Sequence, residues 1–149
     1  MWEFYLALVN LLALASWAVL ILLPRKPVLL AFALYCGVGI LCLLYAVAFG
    51  AVLAGVTAPG GDVTNAGFFS IDGIRAMFET DAGVAIGWSH YLAFDLFIGI
   101  WIVKDAEAKG FSRLAQAPVL LLTLLAGPAG LLLWLVVREK RARRQGRMT

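Results

Sequence analysis

Four long apolar stretches, separated by polar or proline-containing segments, dominate the pattern of this chain. They cover residues 4–23, 28–56, 83–103 and 118–137. A membrane-spanning helix needs about 20 mostly apolar residues, and a backbone in lipid must satisfy its polar groups within its own segment. The pattern therefore predicts an all-α membrane protein in which four transmembrane helices form a compact bundle.

The long connection between the second and third stretches, residues 57–82, is polar and glycine-rich in its first half. Apolar residues then recur at helical spacing, and Ser70 stands before them where an N-cap would. We expect a short amphipathic helix in this loop, which lies on the membrane, covers the mouth of the bundle or serves as a packed connector. Its apolar side consists of Ile71, Ile74, Met77 and Phe78.

The ends of the chain bear on its orientation. Pro-Arg-Lys-Pro at residues 24–27 closes the first stretch without a small-residue cleavage site, so we expect a retained span and not a signal peptide. Four spans would place both termini on one side of the membrane. That side would hold seven Lys and Arg against five on the other, which favours cytoplasmic termini by a small margin.

Composition agrees with a membrane location. The 149 residues are 63% hydrophobic and 14% charged, with a net charge of +3, whereas soluble domains are about 45–50% apolar and about 25% charged. The length predicts a single integral membrane domain over residues 1–149. Six of the 12 Lys and Arg lie in the tail, residues 138–149, which indicates contact with anionic lipid head groups and no nucleic-acid partner.

The third stretch contains the side chains that could do chemistry. His90 is the only histidine of the chain, and Asp95 is a lone carboxylate within apolar sequence. A carboxylate inside a membrane is costly and marks a functional site by default. His90 can move protons near neutral pH, and a buried carboxylic acid can serve as a general acid. The alternative is that Asp95 only binds a neighbouring hydroxyl or amide, for example that of Asn10 or Tyr45.

Helical geometry divides the neighbours of these two residues between two faces. Trp88, Tyr91 and Asp95 share one face, whereas His90 shares the other with aromatic residues. His90 and Asp95 are about 140° apart around the helix, so they would line two sides of one cavity only if this helix is central. We expect an aromatic-lined substrate pocket near them, and the alternative is packing or lipid contact. Its candidate members are Asn10, Trp88, Tyr91, Phe94, Phe97 and Trp101.

Several other chemistries have no support in the sequence. One histidine and one intramembrane carboxylate do not make a usual metal shell, so no metal site is expected. Cys36 and Cys42 are six residues apart within an apolar run and are expected to be small packing residues.

Several segments resemble one known family. They are Pro24-Arg25 after the first stretch, residues 67–73 (Gly-Phe-Phe-Ser-Ile-Asp-Gly), Met77 with Phe78, the run 87–101, and residues 124–131 (Leu-Leu-Ala-Gly-Pro-Ala-Gly-Leu). The core pattern is Trp-x-His-x-Leu-Ala-x-Asp-Leu-Phe, from Trp88 to Phe97. With these segments the chain resembles the small four-helix membrane proteins typified by the plant abscisic-acid-deficient-four protein, in a prokaryote-like form. One departure stands at Ile100, where many relatives have a basic residue.

The resemblance implies a function in carotenoid metabolism. Plant members are needed to turn violaxanthin into neoxanthin, a step that opens an epoxide and forms an allene without net oxidation. It implies an isomerase-type acid–base reaction of a carotenoid or other isoprenoid, with His90 and Asp95 as the catalytic groups and no cofactor. Two alternatives stay open: a non-catalytic carotenoid- or lipid-binding accessory subunit, and oxidative cleavage of a carotenoid to an apocarotenal or retinal.

The same resemblance sets the expected surroundings of the protein. We expect a location in the bacterial inner membrane and contact with membrane lipids. A homo-oligomer or a partner enzyme of pigment biosynthesis is a further expectation.

Overall fold

The first span is the helix α1, Trp2–Leu22, in a computed structural model that describes residues 1–145. The side chains of residues 140, 142, 144 and 145 are excepted from that description. Pro24 and the extended Leu23 end α1, since proline cannot continue the helical ladder. One side of α1 is buried and the other is exposed and apolar, as expected for a helix between a bundle and lipid. Its buried residues are Val9, Ala13, Ser16, Trp17 and Leu20.

The second span is continuous from Pro27 to Leu53. It consists of α2, Pro27–Phe32, a π-helical segment, Ala33–Gly39, and α3, Ile40–Leu53. The π segment brings Gly37 against α1, because a Cβ at Gly37 would lie only 2.6 Å from the Ser16 hydroxyl oxygen. A residue without a side chain therefore allows the first two spans to approach closely.

The connection after α3 contains a short helix, α4, Ile71–Phe78. The Ser70 hydroxyl accepts a hydrogen bond from the Gly73 N–H, which is the N-cap arrangement. At the other side of the loop, Ala82 donates its N–H to the Pro59 carbonyl over 2.9 Å. These bonds hold the loop and α4 over one end of the bundle.

The third span, α5, Asp81–Ala108, is the central helix. Thr80 caps it, since its hydroxyl accepts from the Gly83 N–H. About half of its residues are buried, far more than in the first two spans. The close contact between Gly99 and the Trp17 ring fixes α5 against α1, because a Cβ there would lie 2.5 Å from the indole.

The predicted fourth span, residues 118–137, is wrong as a single membrane-crossing helix. Two helices replace it: α6, Arg113–Leu125, and α7, Gly127–Gln145. They are antiparallel, since a Cβ at Gly130 would lie 2.5 Å from the Thr123 Cα, whereas residues seven apart on one helix are about 10 Å apart. Ala126 has φ −155° and ψ 75°, which is not helical, and Pro128 stands two residues later in the first turn of α7, so the helix breaks at Ala126. The result is a re-entrant hairpin with its apex at Ala126 and Gly127.

The hairpin changes the direction in which the chain leaves the bundle. At one end, here called the loop end, the Trp2 indole donates to the Ala58 carbonyl over 3.1 Å. At the other, here called the basic end, Arg113 donates to the Leu23 carbonyl over 2.7 Å and Arg141 to the Gly110 carbonyl over 2.6 Å. The N-terminus is therefore at the loop end and α7 leaves at the basic end. The N-terminus and the end of α7 at Gln145 thus lie at opposite ends of the described bundle, which disagrees with the expectation that both termini share a side. The part of the predicted tail after residue 145 lies outside the described residues.

Candidate functional site

The central helix α5 presents polar side chains on two faces, as its spacing predicts. On one face the rings of Trp88 and Tyr91 stack with centroids 5.3 Å apart, and Tyr91 interacts with Asp95. On the other face the His90 ring stacks on Phe94 with centroids 4.6 Å apart. The structure therefore does not bring His90 and Asp95 into one cavity.

The His90 face borders a large apolar cavity at the loop end. The cavity has a volume of about 920 Å³, which falls in the range of about 300–1,000 Å³ typical of small-molecule sites. Its walls come from α3, the loop, α4 and the first turns of α5, and they include Tyr45, Phe49, Phe68, Met77, Phe78 and His90. Asp95 is not among the lining residues. His90 is the residue of α5 furthest along the span in this wall, so it lies at the edge of the cavity nearest the middle of the span, and the residue is exposed.

Tyr45 is the hydroxyl-bearing neighbour of His90. Its ring lies 5.5 Å from the imidazole, measured between centroids, and 5.8 Å from Phe49, on which it stacks. From the sequence, Tyr45 was expected only as a partner for Asp95. The sequence shows Tyr45 as the one tyrosine of α3 but gives no sign that it is next to His90. That position follows only from the packing of α3 on α5.

Asp95 occupies a different environment, at the apex of the re-entrant hairpin. It is 93% buried, since its exposed fraction is 7%. Its carboxyl interacts with the Tyr91 hydroxyl and with the backbone N–H of Gly127, the first residue of α7. A Cβ at Gly127 would collide with the carboxyl. Carboxylates are favoured at a helix N-terminus, where backbone N–H groups have no partner within the helix.

One oxygen of this carboxyl stands without a donor in the described part of the chain. Oδ2 of Asp95 is buried and makes no hydrogen bond to the residues that the structure describes. Neither Asn10 nor Tyr45 is a hydrogen-bond partner of Asp95, although the sequence had suggested both as partners that would hold the bundle together. After Tyr45, Gly127 is the second site residue that the sequence did not indicate. In a straight fourth span, nothing would place Gly127 next to Asp95.

The other candidate pocket residues divide between packing and lipid contact. The Trp88 indole donates to the Asn10 Oδ1 over 2.9 Å, which joins α5 to α1. Phe94 and Phe97 are exposed on the outside of the bundle. Trp101 lies under the Arg138 guanidinium, 5.6 Å from the ring centre to Cζ. Phe94, Phe97 and Trp101 are not among the residues that line the His90 cavity.

The basic end is fixed by ion pairs. Asp105 accepts from Lys109 and from Arg138, each over 2.7 Å, and from the Trp134 indole over 3.0 Å. These contacts hold α7 alongside the second half of α5, in register with the Asp95–Gly127 contact.

Arg25, in the connection between the first two spans, also binds the hairpin. It donates to the Gln116 side chain at the start of α6. Burial lowers the pKa of the Arg25 guanidinium from its ordinary value, and the nearby Glu107 opposes this shift. Among the described residues no cluster of three or more His, Cys, Asp or Glu side chains is placed to hold a metal ion.

These features define the class of the protein and then its family. Within the described residues, three long helices are apolar enough to cross a membrane. A cavity of ligand size lies between α3, α5 and the loop with α4, and the Asp95 carboxyl is buried at the apex of the hairpin. The chain is thus a small helical membrane protein with a candidate ligand site. A sequence model of the family described as ABA DEFICIENT 4-like matches residues 4–134. The chain belongs to that family, which confirms the resemblance found in the sequence. No curated protein and no solved structure matches it.

Proposed function

We propose that this protein modifies a carotenoid or related isoprenoid inside the membrane by a cofactor-free isomerisation of the neoxanthin-synthase type. The observation that carries the proposal is the apolar cavity of about 920 Å³ with His90 among its lining residues. Membership of the ABA DEFICIENT 4-like family supports the choice of substrate class. The end group of a polyene would enter the cavity from the lipid, since the walls are almost wholly apolar.

The chemistry fits His90 and Tyr45, two polar residues that line the cavity side by side. In an epoxide opening without net oxidation, a C–H bond and a C–O bond break, a C=C bond forms, and the oxygen gains a proton. The neutral His90 imidazole would accept the proton that leaves carbon. The Tyr45 hydroxyl would donate a proton to the epoxide oxygen and regain one from the His90 imidazolium. Donor and acceptor are thereby restored within one turnover.

This assignment moves the acid role from Asp95 to Tyr45. Asp95 was expected to act with His90 as a catalytic pair, but it lies on another face of α5 and outside the cavity wall. A group that donates a proton to the reacting oxygen has to reach it within hydrogen-bond distance. Tyr45 lines the same cavity as His90, with its ring 5.5 Å from the imidazole between centroids, which supports this assignment.

The proposal includes a location and partners. We place the protein in the bacterial inner membrane, with the isoprenoid ligand and membrane lipids as its contacts. Its protein partner would be a second copy of the chain or a separate enzyme of pigment biosynthesis that receives the product.

The test is a comparison of pigments in carotenoid-producing bacterial cells. Chromatography and mass spectrometry would be applied to cells with the wild type, His90→Gln, Phe97→Ala or an empty vector. Phe97 is exposed on the same helix and outside the cavity, so Phe97→Ala is the matched control. We expect a product of unchanged mass in the wild type and in Phe97→Ala, and none in His90→Gln.

Other results would replace the proposal by one of its rivals. Pigment that co-purifies with the protein without conversion would indicate an accessory binding subunit. Aldehyde products that depend on oxygen would indicate oxidative cleavage to an apocarotenal or retinal.

A further inference from the structure

The imidazole of His90 is in contact with two aromatic rings. The Phe94 ring, one turn later on α5, stacks on it with centroids 4.6 Å apart and planes inclined by 26°. The Tyr45 ring of α3 is 5.5 Å away and inclined by 58°. Both separations lie in the range of favourable aromatic pairs, about 4.5–7 Å between centroids. The His90 ring is therefore packed on its faces, although the residue borders an open cavity.

The stacking of Phe94 on His90 follows from the geometry of α5. Residues four apart on a helix are neighbours, and their side chains lean toward the helix N-terminus. The Phe94 ring thus covers the turn that carries His90, on the side of the imidazole nearer the middle of the span. His90 and Tyr45 line the cavity, whereas Phe94 does not. Phe94 therefore contacts the imidazole from outside the space in which a ligand would bind.

The orientation of the imidazole depends on these ring contacts. The orientation and tautomer of a histidine are commonly set by a hydrogen bond from one ring nitrogen to a carbonyl or a carboxylate. Among the described residues no group forms such a bond with His90, and its interactions are those with Phe94 and Tyr45. Both ring nitrogens are consequently available for proton transfer. Without a stacked ring the side chain could turn to another staggered rotamer and lose its direction toward the cavity.

The same ring also affects the charged form of His90. The face of an aromatic ring attracts a cation that lies within about 6 Å of its centroid. The imidazole centroid lies 4.6 Å from that of Phe94. When His90 accepts a proton from carbon it becomes an imidazolium, and Phe94 is in place to stabilise that cation.

We propose that Phe94 is a positioning residue for His90. Its ring holds the imidazole toward the cavity and Tyr45, and it stabilises the imidazolium that forms there. Phe94 acts through His90 and does not touch the substrate, which differs from the pocket role that the sequence suggested for it. The role rests on the proposed function, because it requires a proton transfer at His90.

The test separates turnover from substrate affinity. Purified wild type, Phe94→Leu, Phe94→Trp and Phe97→Leu in lipid nanodiscs would be supplied with violaxanthin, and chromatography of the product would give kcat and KM. We expect Phe94→Leu to lower kcat about threefold to tenfold, the effect of losing one aromatic pair, with KM almost unchanged. Phe94→Trp keeps an aromatic ring and should retain the wild-type kcat. Phe94 is 57% exposed, so both substitutions can be accommodated without repacking the core.

Phe97→Leu is the matched control. It makes the same change at an exposed aromatic residue of α5 that is outside the cavity, and the structure gives it no ring contact with His90. We expect wild-type kcat and KM for this variant. A fall in kcat as large as that of Phe94→Leu would mean that loss of any exposed ring on α5 slows the reaction, which would overturn the role of Phe94.

A second measurement does not depend on activity. His90 is the only histidine of the chain, so histidine-labelled protein purified without a histidine tag gives one set of imidazole NMR signals. A stacked ring shields the imidazole protons, and their signals should move downfield in Phe94→Leu but not in Phe97→Leu. Unchanged signals or an unchanged kcat in Phe94→Leu, or an effect on KM alone, would overturn the positioning role and leave the proposed function standing. No conversion by the wild type would overturn the proposed function, and the positioning role with it.

Discussion

Gly127 lies directly against the Asp95 carboxyl, at the point where the re-entrant hairpin turns inside the bundle. The two residues are 32 positions apart in sequence, and their contact requires both the helix break at Ala126 and the return of α7 alongside α5. Broken helices at membrane depth are tolerated where the freed backbone is buried in protein or lines a cavity. The contact meets that condition, because the first free N–H of α7 is directed to the carboxyl.

A side chain at Gly127 should destabilise the protein. The Cβ of Gly127→Ala would collide with Asp95, so we expect a loss of about 1–3 kcal/mol, as for overpacked cores. Gly50→Ala is the matched control, because Gly50 is a helical glycine of α3 and a Cβ added there would have no neighbouring atom within 4 Å. Thermal unfolding in detergent would measure both. Equal melting temperatures for the two variants would mean that Gly127 does not face Asp95.

The termini should lie on opposite sides of the membrane. Arg75 is the only Lys or Arg that the described residues place at the loop end. The other basic residues of the described chain follow at the basic end: Arg25, Lys26, Lys104, Lys109, Arg113, Arg138, Lys140, Arg141, Arg143 and Arg144. The positive-inside rule then puts the basic end in the cytoplasm and Met1 outside.

Labelling of single cysteines would check this orientation. After replacement of Cys36 and Cys42, a membrane-impermeant maleimide should react with a cysteine at Glu3 in intact cells and with one at Arg143 only after lysis. If both cysteines reacted from the same side, the hairpin of α6 and α7 could not begin and end at the same side of the membrane. That result would support four membrane-crossing spans.

The Asp105 cluster should hold α7 in place. Asp105→Asn would leave Lys109 and Arg138 without their carboxylate in a mostly buried position, where loss of one partner is costly. We expect a loss of about 2–4 kcal/mol in the free energy of unfolding, discounted from the value for fully buried pairs. Glu139→Gln, which breaks only the exposed pair with Arg143, should leave stability almost unchanged. Denaturant titration in mixed micelles compares them, and similar losses would show that the cluster does not fix α7.

The sequence was sufficient for the spans but not for the hairpin. The length of each apolar stretch predicts α1, the second span and α5, because a helix that crosses the membrane needs about 20 mostly apolar residues. The same criterion joins α6 to α7, since Ala126, Gly127 and Pro128 are all compatible with an apolar stretch. Only the antiparallel contact between Gly130 and Thr123 separates the two helices, and this contact is a tertiary one.

The candidate site divides in the same way. Helical spacing places Trp88, Tyr91 and Asp95 on one face of α5 and His90 on another, as the structure does. Which helices cover each face depends on long-range packing, so Tyr45 and Gly127 could not be assigned their neighbours beforehand. Family resemblance supplied the substrate class, which no contact within the described chain encodes.

Filling the His90 cavity should prevent ligand binding, and this is the most direct test of the proposed ligand site. Val52 lines the cavity from α3, whereas Leu43 of the same helix is exposed outside it. Wild type, Val52→Trp and Leu43→Trp would be purified from carotenoid-producing cells, and the pigment bound per protein measured by absorption. We predict that Val52→Trp loses most of the pigment and that Leu43→Trp retains the wild-type amount. Full pigment retention in Val52→Trp would contradict the cavity as the ligand site.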